Sequence, residues 1–561
     1  MLIKYLVTDF INEHKWKFIS YLILIFGFFP IEAILIPKIY GKLFETIKSI
    51  SSFSDIYNWK KNFKSMNFPG TMVILIILWI LVLLAYSGKN YLEALLIPAY
   101  FSYSRDVIFK QTIKTYQSNY EDIKTGEYLA RVLELTRNFK DLFQHILSRF
   151  LPEFIVSFLI VGYMFYHNKN IGLILLTGVI ICVIIQYFGG KHLINLVNDR
   201  ESFFNTTLSE NIRDCLDNLM NIFLNNEIKD ELNKNDDIEQ TAKSKLEWIM
   251  FMQNVVVFST QLVTILTFAV AICYVYYLIS KKELKVTTGI VLVIILGQFI
   301  NNFLYVNSGF IHNIIYRIGV ITASNDYLEN IFKPIGERTV TTGITNGHIE
   351  FKNVKFRYDK NKTDYLFNDL NLEFKPGKTY ALVGQSGGGK TTTMKMLVGL
   401  YAPEEGSILI DGTDIQTLDL EYLRNNVNYI NQRTNLFNET IMYNMLYGNE
   451  DHTEEDVINL LTKYDLLKMF DLPEGLNAIA GVQGGNMSGG MQRITVLIRG
   501  ILKKNKIVVI DEPTTGLDLA TSKKAAEMIF KETAGKTLIL ITHSELMRSG
   551  VSSVYDISEL K

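Results

Sequence analysis

An all-α six-helix transmembrane domain, followed by an α/β P-loop ATPase domain, is the multi-domain fold that this sequence predicts. Three observations predict it. Apolar runs near the length of a bilayer crossing recur through the first 320 residues, charged residues make up only 20% of the 561, and a complete phosphate-loop motif sits at 384–391 behind a short apolar segment.

Six runs have the length and apolarity to cross a hydrocarbon core of about 30 Å: residues 18–39, 71–91, 151–166, 171–189, 255–279 and 287–306. A single such run is compatible with a buried helix of a large soluble protein. Six in one half of a chain this poor in charge are not. The segment ahead of the first run mixes Lys4, Asp9, Glu13, His14 and Lys15, which suits a short amphipathic helix on a membrane surface better than a cleaved leader. The net charge of −1 gives no basic footprint for nucleic acid. Cys182, Cys215 and Cys273 are far apart, without metal spacing, and read as free thiols.

Loop lengths alternate. His167-Asn168-Lys169-Asn170 joins the third and fourth runs, and little more than Lys281-Lys282-Glu283-Leu284-Lys285 joins the fifth and sixth. The stretches at about 92–150 and 190–254 are long, yet carry charges and apolar residues at helical spacing, as in 128–135. Helices that continue out of the membrane explain both properties. Two spans separate the long connections, so they share one side, and six crossings return both termini to it. Lysines are plentiful in both loop sets, Lys60, Lys61 and Lys64 among them, so the positive-inside bias is weak. Orientation rests instead on the nucleotide site, which must be cytosolic. The sequence turns polar between 311 and 346, with the breakers Lys333-Pro334-Ile335-Gly336 and Thr341-Thr342-Gly343. The expected domains are a membrane domain over 1–320, a linker over 321–346 and a nucleotide-binding domain over 347–561.

Gly384-Gln385-Ser386-Gly387-Gly388-Gly389-Lys390-Thr391 follows the apolar Tyr380-Ala381-Leu382-Val383 and leads into a helix-like segment beginning at Thr392. Strand, glycine loop and helix N-terminus form the context in which backbone N–H groups close around phosphate oxygens and the helix dipole favours the anion. Lys390 is expected to reach the outer phosphates of ATP, and Thr391 to ligate Mg²⁺. A buried parallel strand is expected at Ile507-Val508-Val509-Ile510, with Asp511 and Glu512 at its C-terminal edge, where α/β folds place ligands. Asp511 would hold the Mg²⁺ shell and Glu512 would polarise a water for in-line attack on the γ-phosphate.

Met487-Ser488-Gly489-Gly490-Met491-Gln492-Arg493 supplies a second anion cradle at the start of a helix. A phosphate loop, then this Ser-Gly-Gly cradle, then the Asp-Glu strand resembles the nucleotide-binding domain of ABC transporters. The resemblance implies further roles. Tyr358 matches the aromatic that stacks on adenine. Gln432 matches the loop glutamine that senses Mg²⁺ and contacts the membrane domain. Asp518, in Thr515-Gly516-Leu517-Asp518, belongs to the loop that crosses the dimer interface, and His543 is similar to the switch histidine at the γ-phosphate. Ser488, Gly489 and Gly490 would hold the ATP of the second domain, while Thr392 completes the phosphate loop. With six spans fused ahead, nearly the whole chain resembles an exporter-type half-transporter. The segments starting at Lys124 and at Ser209 are similar to its first and second intracellular loops, a weaker match than the ATPase motifs.

Three departures from the family pattern stand out. Met487 and Met491 replace the first and fifth residues of a signature that usually reads Leu-Ser-Gly-Gly-Gln. Val482 stands where exporters often carry a glutamate, which leaves coupling between ATPase and membrane loops open. The sequence runs only 18 residues past His543, so C-terminal capping helices are expected to be short or missing.

The resemblance implies that two such domains sandwich two ATP molecules, each between one chain's phosphate loop and the other's cradle. The expected activity is ATP-driven export of an amphipathic substrate (lipid, peptide or drug-like) by a dimer in a lipid membrane. A homodimer is expected, with one half of a heterodimer, or an ATP-gated channel or regulator on the same frame, as alternatives. Nucleic acid is not an expected partner. The transported substrate is not legible. Glu32, inside the first span between Pro30 and Pro37, is a candidate for substrate contact or for an interhelical hydrogen bond. Amides such as Gln298 on the last two spans are helix–helix glue or cavity lining.

Overall fold

The computed structural model describes residues 4–48, 68–117, 125–332, 336, 338–358, 364–432 and 435–559. Lys60, Lys61, Lys64, Lys124 and the linker residues Lys333, Pro334 and Ile335 lie outside the described residues. The chain divides into two compact units, Met1–Thr112 with Ile123–Phe332, and Lys333–Lys561 with Ile113–Asp122.

Among the described residues, the first unit contains six helices long and apolar enough to cross a membrane. They are α1 (Lys15–Glu45), α2 (Gly70–Tyr116), α3 (Arg131–His167), α4 (Lys169–Asp217), α5 (Ile228–Ser280) and α6 (Val286–Ala323). At about 1.5 Å per residue, the 53 residues of α5 span roughly 80 Å, far more than the hydrocarbon needs. The long connections are therefore largely continuations of the spans. Asn168 makes the tight reversal between α3 and α4, its side chain accepting from the N–H groups of Asn170 and Ile171.

Two glycines on α4 bring it close to α5. A Cβ on Gly178 would collide with the Thr267 side chain, and one on Gly189 would meet Val256 Cγ2 at 2.6 Å. Small residues at such crossings replace the hydrophobic drive that lipid cannot supply. In α1, a wide π-helical turn at Ile31–Leu35 lies just before Pro37. Proline has no N–H to give the preceding turn and its ring crowds that turn's carbonyl, so a widened turn relieves the misfit.

The second unit holds two sheets. Four antiparallel strands run in the order β2-β1-β4-β5: β1 (Ile349–Phe356), β2 (Phe367–Phe374), β4 (Glu405–Ile410) and β5 (Thr413–Asp414). Five parallel strands run in the order β6-β7-β8-β3-β9: β3 (Thr379–Val383), β6 (Val427–Ile430), β7 (Ile507–Asp511), β8 (Thr537–Ile541) and β9 (Ser553–Asp556). Every residue of β7 and β8 is buried, as the continuous apolar runs require of a parallel sheet covered on both faces. The helix α7 (Lys390–Leu397) packs Met394, Met396 and Leu397 into a core that also holds Phe351, Phe367 and Phe374 from the antiparallel sheet. Asp411 anchors the first strand of this unit. Its carboxylate accepts from the N–H groups of Thr345, Asn346, Gly347 and His348 at 2.7 to 3.0 Å.

Candidate functional site

The site assembles at the C-terminal edge of the parallel sheet, because parallel strands deliver all their following loops to one side. β3 ends at Val383 and the phosphate loop begins one residue later. Gly384, Gly387 and Gly389 have φ of +138°, +76° and +94°, where a side chain is strained. At Gly389 the constraint is double, since a Cβ would also collide with the Phe367 ring. Gln385, Ser386 and Gly388 complete the loop, and Gly388 N donates to Gln385 O at 3.0 Å. Lys390 Nζ donates to Gly384 O at 2.8 Å and to Gln385 O at 2.9 Å, which holds the ammonium inside the loop at the start of α7. That arrangement fits the phosphates of a nucleotide.

Asp511 ends β7, two strands from β3. Its Oδ2 accepts from Thr391 Oγ1 at 2.8 Å and from the Tyr429 hydroxyl at 3.1 Å. Burial raises the Tyr429 phenol well above its ordinary range, and the Asp511 charge adds to this, so Tyr429 is a donor at any working pH. A hydroxyl and a carboxylate oxygen side by side are hard ligands suited to Mg²⁺, which takes the rest of its shell from phosphate and water. Among the described residues no cluster of three His, Cys, Asp or Glu side chains forms a protein-only metal cage.

Parallel pairing of Asp511 with Ile541 brings the ends of β7 and β8 out together. Glu512 follows, its N–H donating to Ile541 O at 2.8 Å, and its φ is +50°, unusual for a residue with a Cβ. Its carboxylate lies 3.9 Å from His543 Nε2, and Thr515 Oγ1 donates to it at 3.4 Å. The imidazole of His543 is mostly exposed.

Tyr358 lies beside the phosphate-loop helix, its hydroxyl bonded to the Thr392 hydroxyl and its exposed ring edge-on to Phe356 and Tyr401. An exposed aromatic next to a phosphate loop offers a stacking face for a base. Gln432 is exposed at the end of the segment that follows β6.

The cradle belongs to a different part of the surface. Ser488 caps α8 (Gly489–Ile501), its side chain accepting from Met491 N at 3.2 Å. Ser488 and Gly489 are exposed, and a Cβ on Gly489 would meet nothing within 4 Å. Gly490 is half-buried against Met469 and Leu517. Among the described residues no hydrogen bond or ion pair links 488–490 to the phosphate loop of the same chain. Asp518 caps α9 (Leu519–Glu532), accepting from Thr521 N at 2.9 Å and Thr521 Oγ1 at 2.7 Å; those bonds hold its carboxyl below the usual range.

Two residues with contacts in this site have no role in the sequence reading. Tyr429 shares the Asp511 oxygen with Thr391. Arg493, 6% exposed, sends its guanidinium to main-chain oxygens of Asn431, Asp511 and Pro513. Its signal is visible once the helix phase is known: a charged residue among the buried Ile494, Thr495, Val496, Leu497 and Ile498 must have partners.

In the membrane unit, the Tyr86 hydroxyl donates to Glu32 at 3.0 Å, and Gln298 Nε2 reaches Glu32 O at 3.5 Å. Glu32 therefore takes part in an interhelical bond.

Residues 7–303 match the family model described as ABC transporter transmembrane region, and residues 367–515 the one described as ABC transporter. Over 200 residues the chain is 36% identical to P-glycoprotein 14 of Caenorhabditis elegans, a stretch covering 35% of this chain and 15% of that protein. Over 201 residues it is 35% identical to the Heavy metal tolerance protein of Schizosaccharomyces pombe, 36% of this chain and 24% of that one. The matched stretches thus span less than two thirds of these relatives. The solved structure of a bacterial Atm1-family ABC exporter with ATP bound superposes with a TM-score of 0.77 at 20% identity, covering 97% of this chain and 93% of that one. At that identity the likeness is one of fold.

Proposed function

The chain belongs to the ABC transporter family, and from that premise we propose that it is an ATP hydrolase coupled to export of an amphipathic substrate, working as a dimer of two half-transporters. One observation carries the dimer: the cradle at 488–490, exposed at Ser488 and Gly489, and the phosphate loop are both formed on one chain, yet among the described residues no hydrogen bond or ion pair joins them. Each is half of an ATP site, and a second copy supplies the complement of both. Lys390, Thr391, Asp511, Glu512 and His543 are all present, so a homodimer has two complete sites. Met491 in place of the usual glutamine supports a second reading, a heterodimer whose partner offers the stronger cradle.

Within each site, Lys390 and the loop N–H groups bind and orient the phosphates of ATP. Thr391 and Asp511 would hold Mg²⁺, which supplies charge neutralisation at the phosphates. Glu512 accepts a proton from the attacking water, with His543 beside it at the γ-phosphate, and Tyr358 stacks on the base. Gln432 would sense Mg²⁺ at the phosphates, and Asp518 fixes the loop proposed to face the second domain. The proposed limits are a membrane domain over 1–320, a linker over 321–346 and an ATPase domain over 347–561, with the ATPase domain and both termini cytosolic.

Reconstitution of the purified chain tests the proposal. Inside-out vesicles should show Mg²⁺-dependent ATPase activity and accumulate a stimulating amphipath against its gradient. Flux that only follows the gradient would favour the channel reading. A monomer without ATPase activity, rescued by another half-transporter, would favour the heterodimer.

A further inference from the structure

Arg493 lies at the start of the second turn of α8, five positions after the cradle serine that caps the helix. Four of its hydrogen bonds go to main-chain oxygens: Nε to Pro513 at 3.1 Å, Nη2 to Asp511 at 2.7 Å, and Nη1 to Asn431 at 2.9 Å and Gln432 at 3.5 Å. The Asp511 and Pro513 carbonyls flank Glu512, whose own backbone is in the left-handed region. The Asn431 and Gln432 carbonyls belong to the segment that presents the loop glutamine. One planar fork therefore grips the carbonyls of the residues on either side of the proposed base, Asp511 and Pro513, and the root of the glutamine loop. Burial lowers the guanidinium to about 10, with the Asp511 and Glu512 charges opposing, so it stays protonated at neutral pH.

We infer that Arg493 is a positioning residue through which occupancy of the cradle at 488–490 sets the geometry of Glu512 and Gln432 in the same chain. This rests on the two-copy site proposed above. In that arrangement the cradle meets the ATP held by the second copy's phosphate loop, whereas Glu512 acts on the ATP held by its own. α8 is a hydrogen-bonded rod, so a shift of its N-terminus as the cradle closes carries Arg493 with it. The carbonyls that Arg493 grips then move as one unit. Filling one site in this way prepares the base of the other, and the two hydrolysis events become cooperative. Lysine cannot replace this fork. It has a single nitrogen on a flexible stem and cannot reach carbonyls on both segments in one plane.

The test uses the full chain in nanodiscs and compares wild type, Arg493→Lys and Ser488→Arg. Wild type should hydrolyse ATP with a Hill coefficient approaching about 2. Arg493→Lys should bind a fluorescent ATP analogue within about twofold of wild type, lose about 10- to 100-fold in kcat, and show a Hill coefficient near 1. A role confined to packing would lower the melting temperature or kcat and leave the Hill coefficient unchanged; that result overturns the inference. Should Arg493→Lys fail to fold, amide hydrogen exchange at 512–515 decides it. Mg²⁺ with a non-hydrolysable ATP analogue should protect these amides in wild type and not in Ser488→Arg, and equal protection in the two overturns the inference. A non-cooperative wild type whose ATPase is indifferent to Ser488→Arg would remove the two-copy site itself. Cooperativity abolished by Ser488→Arg but kept by Arg493→Lys would remove only the transmission.

Discussion

Thr391 and Asp511, 120 positions apart in the chain, share a hydrogen bond of 2.8 Å between hydroxyl and carboxylate. It joins the first turn of α7 to the end of β7 and fixes the corner that would receive Mg²⁺. The local sequence of either strand leaves this pairing undetermined. It arises because β3 and β7 stand in one parallel sheet with β8 between them, so the residues leaving both strands face the same space.

Glu512→Gln should keep ATP binding and lower hydrolysis about 100-fold or more, since the amide keeps the shape but cannot take a proton. Turnover within about threefold of wild type would reassign the base. His543, 3.9 Å away, is the first alternative to examine.

Lys390→Ala should act at an earlier step. It removes the ammonium that the loop closes upon, so nucleotide affinity itself should fall about tenfold or more. Equilibrium binding separates the two variants: Glu512→Gln stays tight and Lys390→Ala does not. Unchanged affinity in Lys390→Ala would count against the phosphate-loop assignment.

Asp411→Asn probes the fold without touching the nucleotide. Burial alone would raise this carboxyl, but the N–H groups of Gly347, His348, Thr345 and Asn346 outweigh it and hold it below its ordinary value. A folded-state value below the unfolded one contributes stability that is full above about pH 4 and lost as pH falls through the folded value. Asn should therefore cost about 1 kcal/mol at pH 7, the site being partly solvated. The gap should close toward pH 2. A pH-independent difference in melting temperature would show that the charge is not what anchors this turn.

Met491 and Val482 should respond differently to the residues more usual at their positions. Met491 is 8% exposed and packs in the core with Ile494 and Met528, whereas Val482 is 74% exposed. Met491→Gln should cost about 1–3 kcal/mol by burying an amide, while Val482→Glu should change stability by less than about 0.5 kcal/mol. If Val482 is where coupling is weakened, Val482→Glu alone should lower substrate-independent ATPase and raise transport per ATP. An unchanged ratio would show that local packing already compensates.

The spans, the phosphate loop and the Asp511 strand are legible in the sequence because each is written locally, as a run, a spacing or a β-branched stretch. Even the continuation of spans into helices beyond the apolar runs is visible, since 128–135 keeps its helical period after the apolar run has ended. Arg493 and Tyr429 are not legible as site residues. Their contacts join segments far apart in the chain, and main-chain carbonyls, which every residue carries, leave no compositional trace. Met491 shows the same limit from the other side. As a departure from a motif it reads as a change of function, whereas its burial shows that it is also a core residue.

Glu512 occupies a backbone conformation in which glycine or asparagine would rest more comfortably. A library screened for heat resistance alone should accordingly enrich glycine at 512, with a gain of about 1 kcal/mol and no turnover. Thermostability is thus a misleading proxy when this transporter is engineered: at this position the best-behaved protein in the purification would be the one that no longer burns its fuel.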